Sequence, residues 1–283
     1  MLASSGTFSI MAACAKGASQ TCDWRLVGTA RAGLMFVFAA VLIVAGRVRP
    51  AFLGPPSLWL RSIAGSLGLL CTFYAVKHLP ISVAVTLMHM YPLWLALLSW
   101  PILGERPTVG IWVALTVGIA GVAFIAQPRL QGLDPSGLAA GVGNSIFTAI
   151  AMIGLHKSSA VDTRAVVAHF AALATLVAGA CLFVFQGPSS LGPAFEGPTA
   201  ILLLGVGAAG TLAQLGMTRA FTTGTPSRVA VISLTQIVFG LGFDRLVWDR
   251  PINGYTLLGI TLVSGPTAWV LLAGRGPKET REA

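Results

Sequence analysis

The chain says nearly the same thing twice. Pro80 opens the run Val83-Ala84-Val85, and Pro226 opens the run Val229-Ala230-Val231. Further on, Glu105-Arg106-Pro107 with Gly110 and Gly121 returns as Asp249-Arg250-Pro251 with Gly254 and Gly265. The copies stand about half the chain apart, and every matched stretch lies in or beside an apolar run of membrane-spanning length. A duplicated set of spans is the usual sequence sign of a secondary transporter.

Composition supports a membrane reading. Hydrophobic residues make up 55% of the 283, and charged residues only 10%. A soluble domain carries about 25% charged residues. At about 20 residues per spanning helix the length allows about ten spans and short loops. Apolar runs fall at about 1–20, 27–46, 59–78, 81–103, 109–127, 138–157, 163–185, 199–221, 227–247 and 254–273. The first is marginal, because its apolar part ends at Ala15; we expect a short first helix, with a signal peptide or a late start codon as alternatives. Gly- and Pro-rich links such as Gly104 to Pro107 break the runs and make successive helices antiparallel.

Charge and cysteines exclude other classes. The formal net charge is +9, but the basic residues sit at helix ends, where anionic lipid explains them without nucleic acid. Their bias, with Arg47, Arg49, Arg61, Arg106 and Lys157 on one side, predicts cytoplasmic termini. Cys14, Cys22, Cys71 and Cys181 lack metal or disulfide spacing and read as small hydrophobes.

Five spans per copy give the duplication its geometry. An odd number inserts the second half upside down, so the expected fold is an all-α integral membrane protein of two inverted five-helix repeats. We expect repeats at 1–127 and 138–273, with a cytoplasmic tail at 274–283. Substrate then binds near mid-depth between the halves.

The stretch Phe73-Tyr74-Ala75-Val76-Lys77-His78-Leu79-Pro80, the Tyr91-Pro92-Leu93 step and the Gly104-Glu105-Arg106-Pro107 turn resemble the first repeat of EamA-type transporters. Arg31 resembles an arginine often found early in that family's second helix, and Gly6-Thr7-Phe8 part of its first-helix pattern. The family belongs to the drug/metabolite transporter superfamily. The resemblance covers nearly the whole chain and is weaker in the second repeat. It implies the fold above and movement of a small metabolite, efflux being the commoner assignment. Uptake of a vitamin or nucleoside-like cofactor is the alternative.

Polar groups inside spans are costly, so each is a candidate cavity residue. Ser82, Thr86 and His89 share one helical face, and Pro92 is expected to kink that helix one turn later. Ser233, Gln236, Gly240 and Asp244 share a face of the ninth span, Asp244 reading as an interfacial charge. Tyr74, Trp94, Asn144, His169 and Gln214 lie in other spans, where the bland reading is an interhelical hydrogen bond or packing. Arg31, about one turn inside the second span, either snorkels to the headgroups or faces inward to attract an anion. Trp100 and Trp112 lie near helix ends and suit interfacial belts.

No Asp or Glu lies near the middle of any run. That argues against a pump for lipophilic cations, which needs a buried carboxylate, and favours a neutral, zwitterionic or anionic metabolite. If protons drive transport, His89 is the titratable candidate. Intramembrane catalysis needs an H-E-x-x-H, a Ser–His pair or paired carboxylates at depth, and none is present. An enzyme is therefore not expected, nor a cofactor, and no P-loop offers ATP drive. Gly205-Val206-Gly207-Ala208-Ala209-Gly210 imitates a dinucleotide-binding loop, but no strand precedes it, and close helix packing explains it. Expected partners are a small-molecule substrate and the lipid bilayer of the bacterial inner membrane. A homodimer and a non-transporting membrane scaffold stay open.

Overall fold

The computed structural model describes residues 1–79, 81–104, 106–127, 133–186, 197–248 and 252–273. Pro80, Glu105, Arg250, Pro251 and the 274–283 tail lie outside them, as do the side chains of Ser82 and Asp244. The described residues form twelve α-helices: α1 Leu2–Ala18, α2 Trp24–Ala45, α3 Pro56–His78, α4 Ile81–Met88, α5 Tyr91–Leu103, α6 Val109–Ala126, α7 Pro135–Lys157, α8 Thr163–Gln186, α9 Gly197–Thr223, α10 Pro226–Ser233, α11 Thr235–Trp248 and α12 Gly254–Ala273. Two consecutive pairs, α4–α5 and α10–α11, are each one broken span, which leaves ten spans. Eight of these are long and apolar enough to cross a membrane. The exceptions are α1, of 17 residues, and α3, which has Arg61 in its second turn.

Helices start earlier than the apolar runs because polar or proline caps precede them. The Asp23, Asp134 and Asp162 carboxylates accept hydrogen bonds from the backbone N–H groups of Arg25, Ser136 and Arg164 at 2.8, 3.2 and 2.8 Å. Those bonds satisfy donors that a helix start otherwise leaves orphaned. Pro56 begins α3 with its fixed φ and missing N–H. These caps set Arg31 two turns into α2 and Arg61 inside α3.

Packing follows a five-helix exchange. Counting spans, the pairing of the third with the sixth (α3 on α7) maps onto that of the eighth with the first (α9 on α1). The second packs on the seventh (α2 on α8) and the fifth on the tenth (α6 on α12), each pair mapping onto itself. Contacts of α2 with α9 and of α3 with α8 exchange in the same way. Two five-helix halves related by a pseudo-twofold produce this pattern, and their odd span count makes them inverted. Large apolar residues such as Val41, Leu176, Ile201 and Leu257 are exposed on the outside. In a bilayer they meet acyl chains.

Both broken spans depart from the expected runs. The fourth does not merely kink: Pro92 lacks the N–H that would bond back to Met88, and the helix stops there, leaving His89 and Met90 between α4 and α5. The ninth span, expected to be continuous, is interrupted at Leu234 alone, without a proline and with helical angles of φ −60° and ψ −24°. Ser233 Oγ donates to the Ala230 carbonyl at 2.6 Å and Thr235 Oγ1 to the Ile232 carbonyl at 2.7 Å. Hydroxyls that take backbone acceptors in this way compete with the helical ladder.

Small residues carry the closest crossings. At α6–α12, a Cβ on Gly121 would meet the Gly259 carbonyl oxygen at 2.8 Å, and one on Gly259 the Gly121 oxygen at 2.6 Å. Gly207, from the imitation nucleotide loop, would meet Leu34 at 2.4 Å, and Gly141 would meet Leu87 at 2.5 Å. We predict that Gly121→Leu forces α6 and α12 apart and costs roughly 1–3 kcal/mol. Thermal unfolding of the purified protein checks this: the midpoint falls by several degrees, whereas an unchanged midpoint removes the close crossing.

Candidate functional site

The breaks at α4–α5 and α10–α11 meet inside the bundle. The Tyr91 hydroxyl, at the start of α5, hydrogen-bonds Ser233 Oγ, at the end of α10. Around this junction lies a cavity of about 270 Å³. Both halves wall it: Arg31, Arg61, Thr72, His89 and Tyr91 come from the first, and Asn144, Thr148, Gln214, Ser233 and Gln236 from the second.

Local geometry fixes most of these groups. His89 Nδ1 lies 2.9 Å from the Val85 carbonyl one turn earlier. A carbonyl only accepts, so Nδ1 carries the proton and Nε2 of the neutral ring is an acceptor. Asn144 Nδ2 donates to the Gly68 carbonyl at 2.7 Å and to Thr72 Oγ1 at 2.6 Å, which ties α7 to α3 at the cavity wall. The Gln236 backbone carbonyl accepts from Ser9 Oγ at 2.9 Å and joins α1 to the break in the ninth span. Gln214 is buried on α9.

Six of the ten residues singled out in the sequence border the cavity: Arg31, His89, Asn144, Gln214, Ser233 and Gln236. The other four sit elsewhere. Trp94 packs into an apolar cluster with Leu95 and Phe221. Thr86, on α4, is not among the residues that line the cavity. His169 is buried between α3 and α8, its Nδ1 2.7 Å from Ser62 Oγ and its ring edge-on to Trp59. Tyr74 is half-exposed near the C-terminal end of α3, stacked on His78 at 4.3 Å. Its hydroxyl lies 3.1 Å from Ser136 Oγ, which donates to Asp134 at 2.6 Å. Asp134 also faces His78 Nδ1 at 3.2 Å. Tyr74 thus belongs to a clasp between α3 and α7 at one end of the bundle.

Sequence reading missed Arg61. It lies inside the run 59–78, two residues from its start, where it reads as an end-of-helix cation. Pro56, a helix-start signal, places it in the second turn of α3. There it is only 3% exposed, and its guanidinium lies over the Phe170 ring at 4.1 Å. Tyr91 was quoted only as part of a family motif, yet it forms the link between the breaks.

These geometries define a helical membrane protein with an internal cavity that carries polar groups from both sequence halves, as transporters have. Comparison with known proteins specifies the class. A family model described as the EamA-like transporter family matches residues 1–127. The pseudopaline exporter CntI of Pseudomonas aeruginosa is 31% identical over 259 residues, covering 91% of this chain and 89% of that one. An uncharacterized transporter of Helicobacter pylori is 28% identical over 74% of this chain and 71% of its own length. Solute carrier family 35 member G1 of Mus musculus is 26% identical over 76% and 62%. One solved crystal structure superposes with a TM-score of 0.81 over 98% of this chain and 99% of its own, at 19% identity, which speaks to fold alone. The chain belongs to the EamA-like transporter family and is a multi-pass membrane transporter.

The clasp yields a pH prediction. Asp134 is exposed, and hydrogen bonds from Ser136, side chain first and backbone second, hold its carboxyl below its ordinary value of 3.8. A depressed folded-state pKa adds stability that is present above the ordinary value and lost as pH falls through the depressed one. Asp134→Ala should therefore lower the melting midpoint at neutral pH, with the gap closing below pH 3.8. A gap that persists in acid would show that the carboxylate charge is not what holds the clasp.

Proposed function

We propose that the chain is a secondary transporter that exports a small zwitterionic or anionic metabolite across a bacterial inner membrane by alternating access. One observation carries this reading: a largely apolar internal cavity into which both halves bring arginine, imidazole and amide groups, beside the junction of the two interrupted spans. Discontinuous helices at mid-depth offer irregular backbone to a substrate while the rest of the bundle seals the membrane. In this reading Asn144, Gln214 and Gln236 hold polar parts of the cargo. Arg31 and Arg61 attract its acidic part. His89 couples binding to a proton, being the titratable ring that borders the cavity. The Tyr91–Ser233 link forms and breaks as the halves rock. Thr86, Trp94, His169 and Tyr74 act through the walls and the clasp, not through contact with cargo.

Export is favoured by the relative named as an exporter. Cytoplasmic termini are favoured by the loop cations, whose bias survives removal of Arg31 and Arg61, which line the cavity. The test is an untargeted mass-spectrometric comparison of spent medium from cells expressing the chain or an empty vector. We expect at least one small acid or zwitterion to rise severalfold in the medium of the expressing cells. Medium that is unchanged, with the protein present in the membrane, contradicts export. For the solute so found, His89→Ala should slow release about tenfold, equivalent to about 1.4 kcal/mol, or flatten its pH dependence. Wild-type rate and pH profile would remove His89 from the coupling role.

A further inference from the structure

Two guanidinium groups border one small cavity, and no carboxylate faces them among its described lining residues. Arg61 is 3% exposed, and its Nε is buried without a hydrogen-bond partner. Arg31 Nε is likewise buried and unpartnered. Like charges that share one cavity repel one another. Holding such a pair in a low-dielectric interior is costly unless an anion completes it. The Phe170 ring face stabilises one guanidinium, but a ring carries no net charge to cancel it.

Backbone is shaped to keep Arg61 where it is. A Cβ on Gly65 would meet an Arg61 guanidinium nitrogen at 2.4 Å and the Phe170 ring at 2.8 Å. The missing side chain is the space in which the guanidinium lies, one turn deeper than its own Cα. Arg31 enters on α2, which runs antiparallel to α3. α2 packs on α8 and α9, while α3 packs on α7 and α8, so the two guanidiniums reach the cavity from different walls. A single planar carboxylate forks onto one guanidinium.

We propose that the cavity binds a small dicarboxylate, one acidic group on Arg31 and the other on Arg61, with the amides of Asn144, Gln214 and Gln236 facing the chain between them. As a statement about cargo this rests on the transporter reading above; as a statement about binding it does not. It divides the broad anionic class: monocarboxylates satisfy one arginine and leave the other uncompensated. Phosphate, which concentrates its charge on one group, suffers the same defect.

The probes are succinate, glutarate and adipate, each beside its monoamide, with acetate and inorganic phosphate at matched ionic strength. Purified full-length protein in lipid nanodiscs is followed by thermal unfolding, because a ligand that binds the folded state raises the midpoint. At least one dicarboxylate should raise it saturably and bind about tenfold or more tightly than its own monoamide, acetate or phosphate. Arg31→Gln and Arg61→Gln should each abolish that preference, and the matching lysine variants should keep part of it. Gly65→Ala, which displaces the Arg61 guanidinium without removing its charge, should also weaken the dicarboxylate selectively.

Overturning results need only the wild-type protein, so a variant that fails to fold does not obscure them. Equal binding of a dicarboxylate and its monoamide, or no saturable effect of any dicarboxylate, ends the proposal. The two readings fail separately. A dicarboxylate that binds and is never released from cells sinks export while sustaining the site. Release of an acid or zwitterion from cells, with dicarboxylates bound no more tightly than their monoamides, does the reverse.

Discussion

Inside a bilayer the backbone has no water to bond, so a helix breaks only where something else satisfies or tolerates the open ladder. This chain breaks two spans, related by the five-helix exchange, and brings both breaks to one place. Pro92 ends α4 by removing a donor, while the ninth span is interrupted at Leu234, between Ser233 and Thr235, whose hydroxyls bond backbone carbonyls. Tyr91 then bonds Ser233 across the junction. The cavity, its polar lining and the placement of His89 all follow from the position of these breaks.

Around the junction, electrostatics is unbalanced in one direction. Two arginines and several amides border the cavity, while acidic residues stay at caps and ends, as Asp23, Asp134 and Asp162 illustrate. Those carboxylates complement helix N-termini and a clasp. They are unavailable to the arginines. The protein thus keeps its structural anions at the rim and leaves its cationic interior for a ligand, at a cost that close glycine crossings such as Gly121 with Gly259 help to offset.

Much of the fold was legible in the sequence, because lipid allows few alternatives to apolar helices and because the repeat counts spans in fives. Helix starts were less legible: Asp23, Asp134 and Pro56 belong to helices although they lie outside the apolar runs. The break in the ninth span was invisible, since no proline marks it and the competition of Ser233 and Thr235 with the backbone is a three-dimensional fact. His89, Gln236, Asn144, Gln214, Ser233 and Arg31 were found by one rule, that a polar residue inside a span needs a reason. The same rule picked Tyr74 and His169, whose reasons are a terminal clasp and a Ser62 hydrogen bond. Periodicity alone does not separate these cases. Arg61 was lost because a charge near the edge of a run looks like a loop residue until its helix start is known.

The central claim is that one cavity opens in turn to the two sides of the membrane. A single cysteine at Met217, which borders that cavity, tests it most directly once Cys14, Cys22, Cys71 and Cys181 are replaced. Membrane-impermeant maleimide is applied to right-side-out and to inverted vesicles. The account predicts labelling from both sides, with the balance shifted by a bound ligand. Labelling from one side only, whatever ligand is present, would contradict it.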